Sequence, residues 1–205
     1  MLAVVGALFL FDGPSDSSPA KMTAWYQSSS HRTHIHIGWL LAGFGLFFLV
    51  WFVASLREHV SDAGIEDGSF LASIVGIGGA AFVAVAMVVI GTADGLKTMS
   101  DDTYLHTVYS GVIHGAGDAA YVMLVTGGAA MASLIFAASA AILGARILPR
   151  WVGWFGIVAG IAAIFSLFFF TMLIWLAWIA VASVMLYVRS PSPIATRNKA
   201  LAAAA

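Results

Sequence analysis

The sequence predicts an all-α fold: a polytopic transmembrane helix bundle with five full spans and a short N-terminal apolar segment. Three observations lead there. Hydrophobic residues make up 61% of the 205 residues and charged residues only 9%, whereas a soluble domain carries about 25% charged residues to keep its surface wet. Mean hydropathy is +0.96. The few charges fall in short blocks between long stretches that have none, and a bilayer core of about 30 Å needs about 20 apolar helical residues.

The elements follow in chain order. Met1–Phe11 is apolar and is stopped by Asp12-Gly13-Pro14. Eleven residues are too few to cross a bilayer, and no basic region precedes them as a signal peptide requires. The segment therefore reads as the remnant of a first helix, or as a short helix lying against the bundle. The first full span is Ile35–Leu56, closed by Arg57-Glu58-His59. The second is Ser69–Ala93, between Asp67 and Asp94, and the third is Ala119–Ala145, between Asp118 and Arg146. Trp151–Val188 is uncharged over about 38 residues. As one helix it would be about 57 Å long, beyond any bilayer. It is expected to fold back near Phe168–Thr171, giving spans Trp151–Leu167 and Met172–Val188. Residues 1–189 thus form one transmembrane domain, and 190–205, with Pro191 and Pro193, form a flexible tail.

Loop charge sets the expected orientation. Arg57, Arg146, Arg150, Arg189, Arg197 and Lys199 fall on one side, and Lys21, Arg32 and Lys97 on the other. Basic residues favour the cytoplasm, so the C-terminus is expected inside a plasma membrane, with loops 12–33 and 94–117 outside. Aromatic residues agree with this frame. Trp25, Tyr26, Trp39, Tyr104, Tyr109 and Tyr121 mark the outer interface and Trp151, Trp154 and Tyr187 the inner one, since such rings want one wet edge. Trp175 and Trp178 fall mid-helix, where packing must hold them. Helix contact in lipid depends on close approach of small residues. The expected contact faces are Gly38/Ala42/Gly45, Gly76/Gly79/Ala80 and Gly153/Gly156/Gly160.

Several function classes drop out. A net charge of -1 does not suit a nucleic-acid binder. With no Cys there are no disulfides, thiolate metal sites or Cys nucleophiles. No ionisable residue sits at the centre of an assigned span, which argues against a proton relay, an ion-coupled transporter or a voltage sensor. No intramembrane Lys is present for a retinal Schiff base.

Chemistry-bearing residues gather on the outer side. Five of the six His lie there, namely His31, His34, His36, His106 and His114, as do Asp94, Asp101, Asp102 and Asp118. Ser100-Asp101-Asp102 makes a good helix start. A helix running on from it would place Thr107, Ser110, His114, Asp118 and Tyr121 in one polar stripe. His34, four residues before Gly38, is expected to point into the bundle and His36 away from it. His34, His114 and Asp118 could then meet as two imidazoles and a carboxylate. Such a set can bind a divalent metal with a position left for water, and support hydrolysis of a lipid-type substrate. A non-covalent b-type haem on His34, His106 or His114 is the weaker variant. The plainer reading makes these residues wetted polar groups, or a pair that pins two helix ends.

In "AWYQSSSHRTHIHIGWLLAGFGLFFLVWFVASLREHV" (Ala24–Val60) and "LPRWVGWFGIVAGI" (Leu148–Ile161) the chain resembles six-helix integral membrane proteins of unknown function found in actinobacteria and related bacteria. The resemblance implies a complete first helix in place of Met1–Phe11, and it supplies no catalytic residues. Two functions stay open. One is a non-enzymatic accessory, assembly or small sensing subunit that works through helix packing, with membrane lipids, other subunits or a second copy as partners. The other is an outer-facing metal or haem site used for hydrolysis or ligand sensing.

Overall fold

The computed structural model of the protein describes residues 18–99, 110–165 and 169–189. They form six helices: α1 Pro19–Gln27, α2 Ser29–Ser61, α3 Gly68–Met99, α4 Ser110–Ala145, α5 Arg150–Ile164 and α6 Phe169–Arg189. Among the described residues there is no strand. Four helices are long and apolar enough to cross a membrane: α2, α3, α4 and α6. The protein is thus a helical membrane bundle. The N-terminal segment 1–11 and the tail 190–205 lie outside the described residues.

The helices overrun the charge-free stretches. α2 has 33 residues, about 50 Å, where a span of Ile35–Leu56 was expected. Its polar start, Ser29–His36, is helical as well, and Thr33 Oγ1 returns a hydrogen bond to the Ser29 carbonyl at 2.9 Å. α4 has 36 residues and is already helical at Ser110, nine positions before the expected span. Polar residues thus continue α2, α3 and α4 beyond the apolar layer at one end, which builds a helical collar there.

The α2–α3 turn is closed by Asp62, whose N–H bonds the Glu58 carbonyl at 2.9 Å. Gly64 follows with φ +68, a left-handed backbone that only glycine adopts without a Cβ penalty. The second turn, between α5 and α6, differs from expectation. α5 stops at Ile164, and Phe169–Thr171 already belong to α6, so that part of the expected fold-back is helical. No Gly or Pro makes it. Instead the Thr171 hydroxyl donates to the Phe165 carbonyl at 2.9 Å, which satisfies a helix-end acceptor that lipid cannot. α5 is correspondingly short. Its fifteen residues cover about 22 Å against a core of about 30 Å.

α4 is the spine, packed on α3 along one side and α5 along the other, with α2 on the far side of α3. The core gathers Val53, Leu56 and Val60 of α2, Val75 and Phe82 of α3, Met131, Leu134, Ile135 and Ile142 of α4, and Val152 and Ala159 of α5. α6 crosses this layer through its two mid-helix tryptophans. Trp175 stands edge-on to Phe82 of α3 at 5.5 Å, and Trp178 edge-on to Phe52 of α2 at 6.4 Å. Both are buried, as packing requires of an aromatic at that depth.

Small residues set the helix spacing, because Leu gains little by exchanging lipid for another helix. A β-carbon at Gly78 would come within 2.7 Å of the Ala130 carbonyl, so α3 and α4 touch backbone to backbone. Gly153, Gly156 and Gly160 are all buried and receive Leu143, Ser139 and Phe136 of α4. Gly38 and Ala42 are buried on α2 as expected, whereas Ala80 of α3 is exposed and Gly78 takes the contact instead. Outside, the bundle shows large apolar side chains such as Phe44, Phe48, Ile77, Trp154 and Phe170. Water would not tolerate that surface, and hydrocarbon favours it.

Candidate functional site

The histidine-rich collar is built where α1 packs against the first turns of α2, the last turns of α3 and the first turns of α4. Arg32 fixes α1 in place. Its Nη1 donates to the carbonyl of Gln27 at 2.6 Å and of Tyr26 at 3.3 Å, capping the α1 C-terminus with a cation where the helix dipole is negative. His31 reaches back as well. Its Nδ1 lies 3.1 Å from the Trp25 carbonyl and its ring stacks on the Trp25 indole at 4.5 Å. Trp25 meets Tyr26 edge-on at 5.0 Å.

Beneath α1 two small apolar clusters hold the collar together. Ile35 and Ala42 pack with Trp25, Tyr26 and Trp39, and Leu96 and Ile113 pack with Tyr26 and Ala116. Tyr26 belongs to both clusters. Burial pushes its phenol above the usual value of 10.0, because the phenolate would lose its hydration.

Among the described residues one ionic contact crosses the collar. His36 Nδ1 of α2 lies 3.6 Å from Asp94 Oδ1 of α3. The imidazole stacks on Trp39 at 5.7 Å, with ring planes 13° apart.

The residues singled out in the sequence do not converge. His34 is exposed and does not point into the bundle. The buried row of α2 is Ile35, Gly38, Ala42 and Leu46, and His34 is one residue, or about 100°, off that row. His114 is half-buried, while Asp118 and Tyr121 are exposed. Ser110 opens α4; Thr107 and His106 lie outside the described residues. Among the described residues no three His, Asp or Glu side chains are placed to hold a metal ion, so His34, His114 and Asp118 do not form the ligand set expected of them.

The His36–Asp94 contact went unread in the sequence, although a signal was present. These two residues are the polar limits of the apolar runs on α2 and α3 at the same rim, so antiparallel packing sets them level. Comparison with protein-family models, with curated proteins and with solved structures finds no match.

Proposed function

We propose that the chain is a non-enzymatic accessory, assembly or small sensing subunit that works through helix packing in a plasma membrane. One observation carries this reading. The outward face of α4 is mostly small: Gly115, Ala119, Thr126, Ala129, Ser133 and Ala140 are exposed on it, with Val122, 58% exposed, as a larger side chain among them. The outward face of α2, by contrast, presents Phe44, Phe47, Phe48 and Trp51, which suits lipid. Small residues mark helix contact in membranes, and those on the outward face of α4 meet no helix among the described residues.

Thr126 and Ser133 fit the same reading. Their hydroxyls donate to carbonyls of their own helix, Thr126 to Val122 and Met123 and Ser133 to Ala129. Each can therefore face hydrocarbon without an orphaned donor and still leave a shallow groove for another helix. The metal reading has no comparable support, since no three His, Asp or Glu side chains among the described residues are placed to hold an ion.

The test is association. An Ala129→Leu/Ser133→Leu variant should lose its copurifying partner or self-association while keeping the thermal stability of the bundle. Unchanged association would remove the proposal. The chain has no Cys, so a single Ala129→Cys gives a clean cross-linking site for the same question. A cytoplasmic C-terminus belongs to this reading on the basic-residue bias alone. Cleavage of a C-terminal tag by protease added to intact cells would reverse it.

A further inference from the structure

The opposite rim carries a second feature, at the turn between α4 and α5. α4 ends at Ala145, and Arg146 follows with φ +59, a left-handed backbone that strains an arginine and would suit glycine. Its N–H still bonds the Ile142 carbonyl at 3.0 Å. Leu148 is fully buried and anchors the turn. Arg146 and Arg150 flank it, both exposed. At most about 14 Å of chain separates their α-carbons, so two long side chains can reach one anion.

The start of α5 adds to the positive charge. Pro149 occupies the cap position without a side-chain acceptor, and the first turn holds no acidic residue. The Val152 N–H bonds the Pro149 carbonyl at 2.9 Å, while the positive end of the helix dipole meets no acidic side chain in that turn. The neighbouring end of α2 and the α2–α3 turn carry Glu58, Asp62, Glu66 and Asp67, yet neither arginine pairs with an acidic side chain among the described residues. Beside them Trp151 and Trp154 are 50% and 63% exposed, as interfacial tryptophans are.

We propose that the α4–α5 turn is a headgroup site for an anionic phospholipid, whose phosphate sits between Arg146 and Arg150 at the N-terminus of α5 while Trp151 and Trp154 flank the glycerol region. Guanidinium matches phosphate geometry in a way that ammonium does not. The depth of the site, level with exposed indoles and at the edge of an uncharged run, is that of a lipid phosphate.

The experiment compares the full-length protein in nanodiscs of phosphatidylcholine alone and of phosphatidylcholine with phosphatidylglycerol, by thermal unfolding and by native mass spectrometry of retained lipid. Phosphatidylglycerol should raise the unfolding temperature by several degrees and remain bound. Arg146→Gln/Arg150→Gln should abolish both effects, and Arg57→Gln, at the same rim, should preserve them. Arg146→Gly, which relieves the left-handed strain, should fold at least as well in phosphatidylcholine yet lose the phosphatidylglycerol shift. Equal unfolding temperatures in the two lipids would overturn the proposal, as would an equal loss in Arg57→Gln. Inorganic phosphate added to phosphatidylcholine discs, if it reproduced the shift, would also overturn it by making the ligand a free anion.

Discussion

The indole N–H of Trp178 donates to the carbonyl of Val152 at 3.0 Å, across the α6–α5 interface and in a fully buried setting. That carbonyl belongs to the first turn of α5, so one side chain of the last helix reads the start of the helix before it. The contact fixes the register of the α5–α6 hairpin, whose fold-back has neither glycine nor proline. Trp178→Phe keeps a ring against Phe52 but removes the donor and part of the volume. It should cost about 1–2 kcal/mol, one hydrogen bond plus a small cavity. Thermal unfolding in detergent measures this, with an Ile179→Val change in the same helix as a size control.

Gly156 makes the indole's approach possible. A β-carbon there would collide with Ser139 Oγ and come within 2.7 Å of Trp178 Nε1. Gly156→Ala should therefore destabilise the bundle by about 1–3 kcal/mol through overpacking. Gly43, with nothing within 4 Å of a β-carbon, is the counter-example. Gly43→Ala should gain up to about 1 kcal/mol from helix propensity. Ser139 Oγ is buried without a hydrogen-bond partner among the described residues, so Ser139→Ala alone should be near neutral and should partly rescue Gly156→Ala. Full additivity in that double-mutant cycle would contradict the contact.

The fold-back itself depends on Thr171. Thr171→Val keeps the shape and deletes the hydroxyl that the Phe165 carbonyl accepts. Losing the bond leaves a helix-end carbonyl short of a donor and should cost about 1–3 kcal/mol, and Thr171→Ser should restore most of it. Faster amide exchange confined to residues near 161–165 would place the damage at the hairpin tip.

How much of this was readable beforehand follows from the physics of each residue. Uncharged runs show where hydrocarbon must be, and the runs Ile35–Leu56, Ser69–Ala93 and Ala119–Ala145 each lie inside a single helix, α2, α3 and α4. They do not show where a helix stops, because a polar segment such as Ser29–His36 can stay helical once α1 packs on it. The glycines of α5 were legible because regular spacing on a membrane helix has few other uses. His34 was misjudged by one position. The small-residue row through Gly38 was assumed to include it, while the buried neighbour is Ile35. Contacts between helices, such as Trp178 with Val152 or His36 with Asp94, need the relative height of two helices, which no single-helix periodicity contains.

Tyr26 gives the collar a measurable response to alkali. Burial raises its phenol above 10.0, so docked α1 holds the proton at a pH where an undocked phenol has lost it. The sign follows from linkage. Below pH 10 both states are protonated and the docking energy is intact; above it the undocked state binds fewer protons, and stability falls as pH rises toward the docked value. α1 should therefore loosen from α2 and α4 just above pH 10, before the bundle unfolds. Ultraviolet titration of tyrosinate should show a late component in the wild type that is absent in Tyr26→Phe. Relative to the base-catalysed intrinsic rate, amide protection of residues 19–27 should fall over the same range in the wild type and stay constant in Tyr26→Phe. A tyrosinate titration with no late component for Tyr26→Phe to remove would mean that Tyr26 is not sequestered between α1 and the collar.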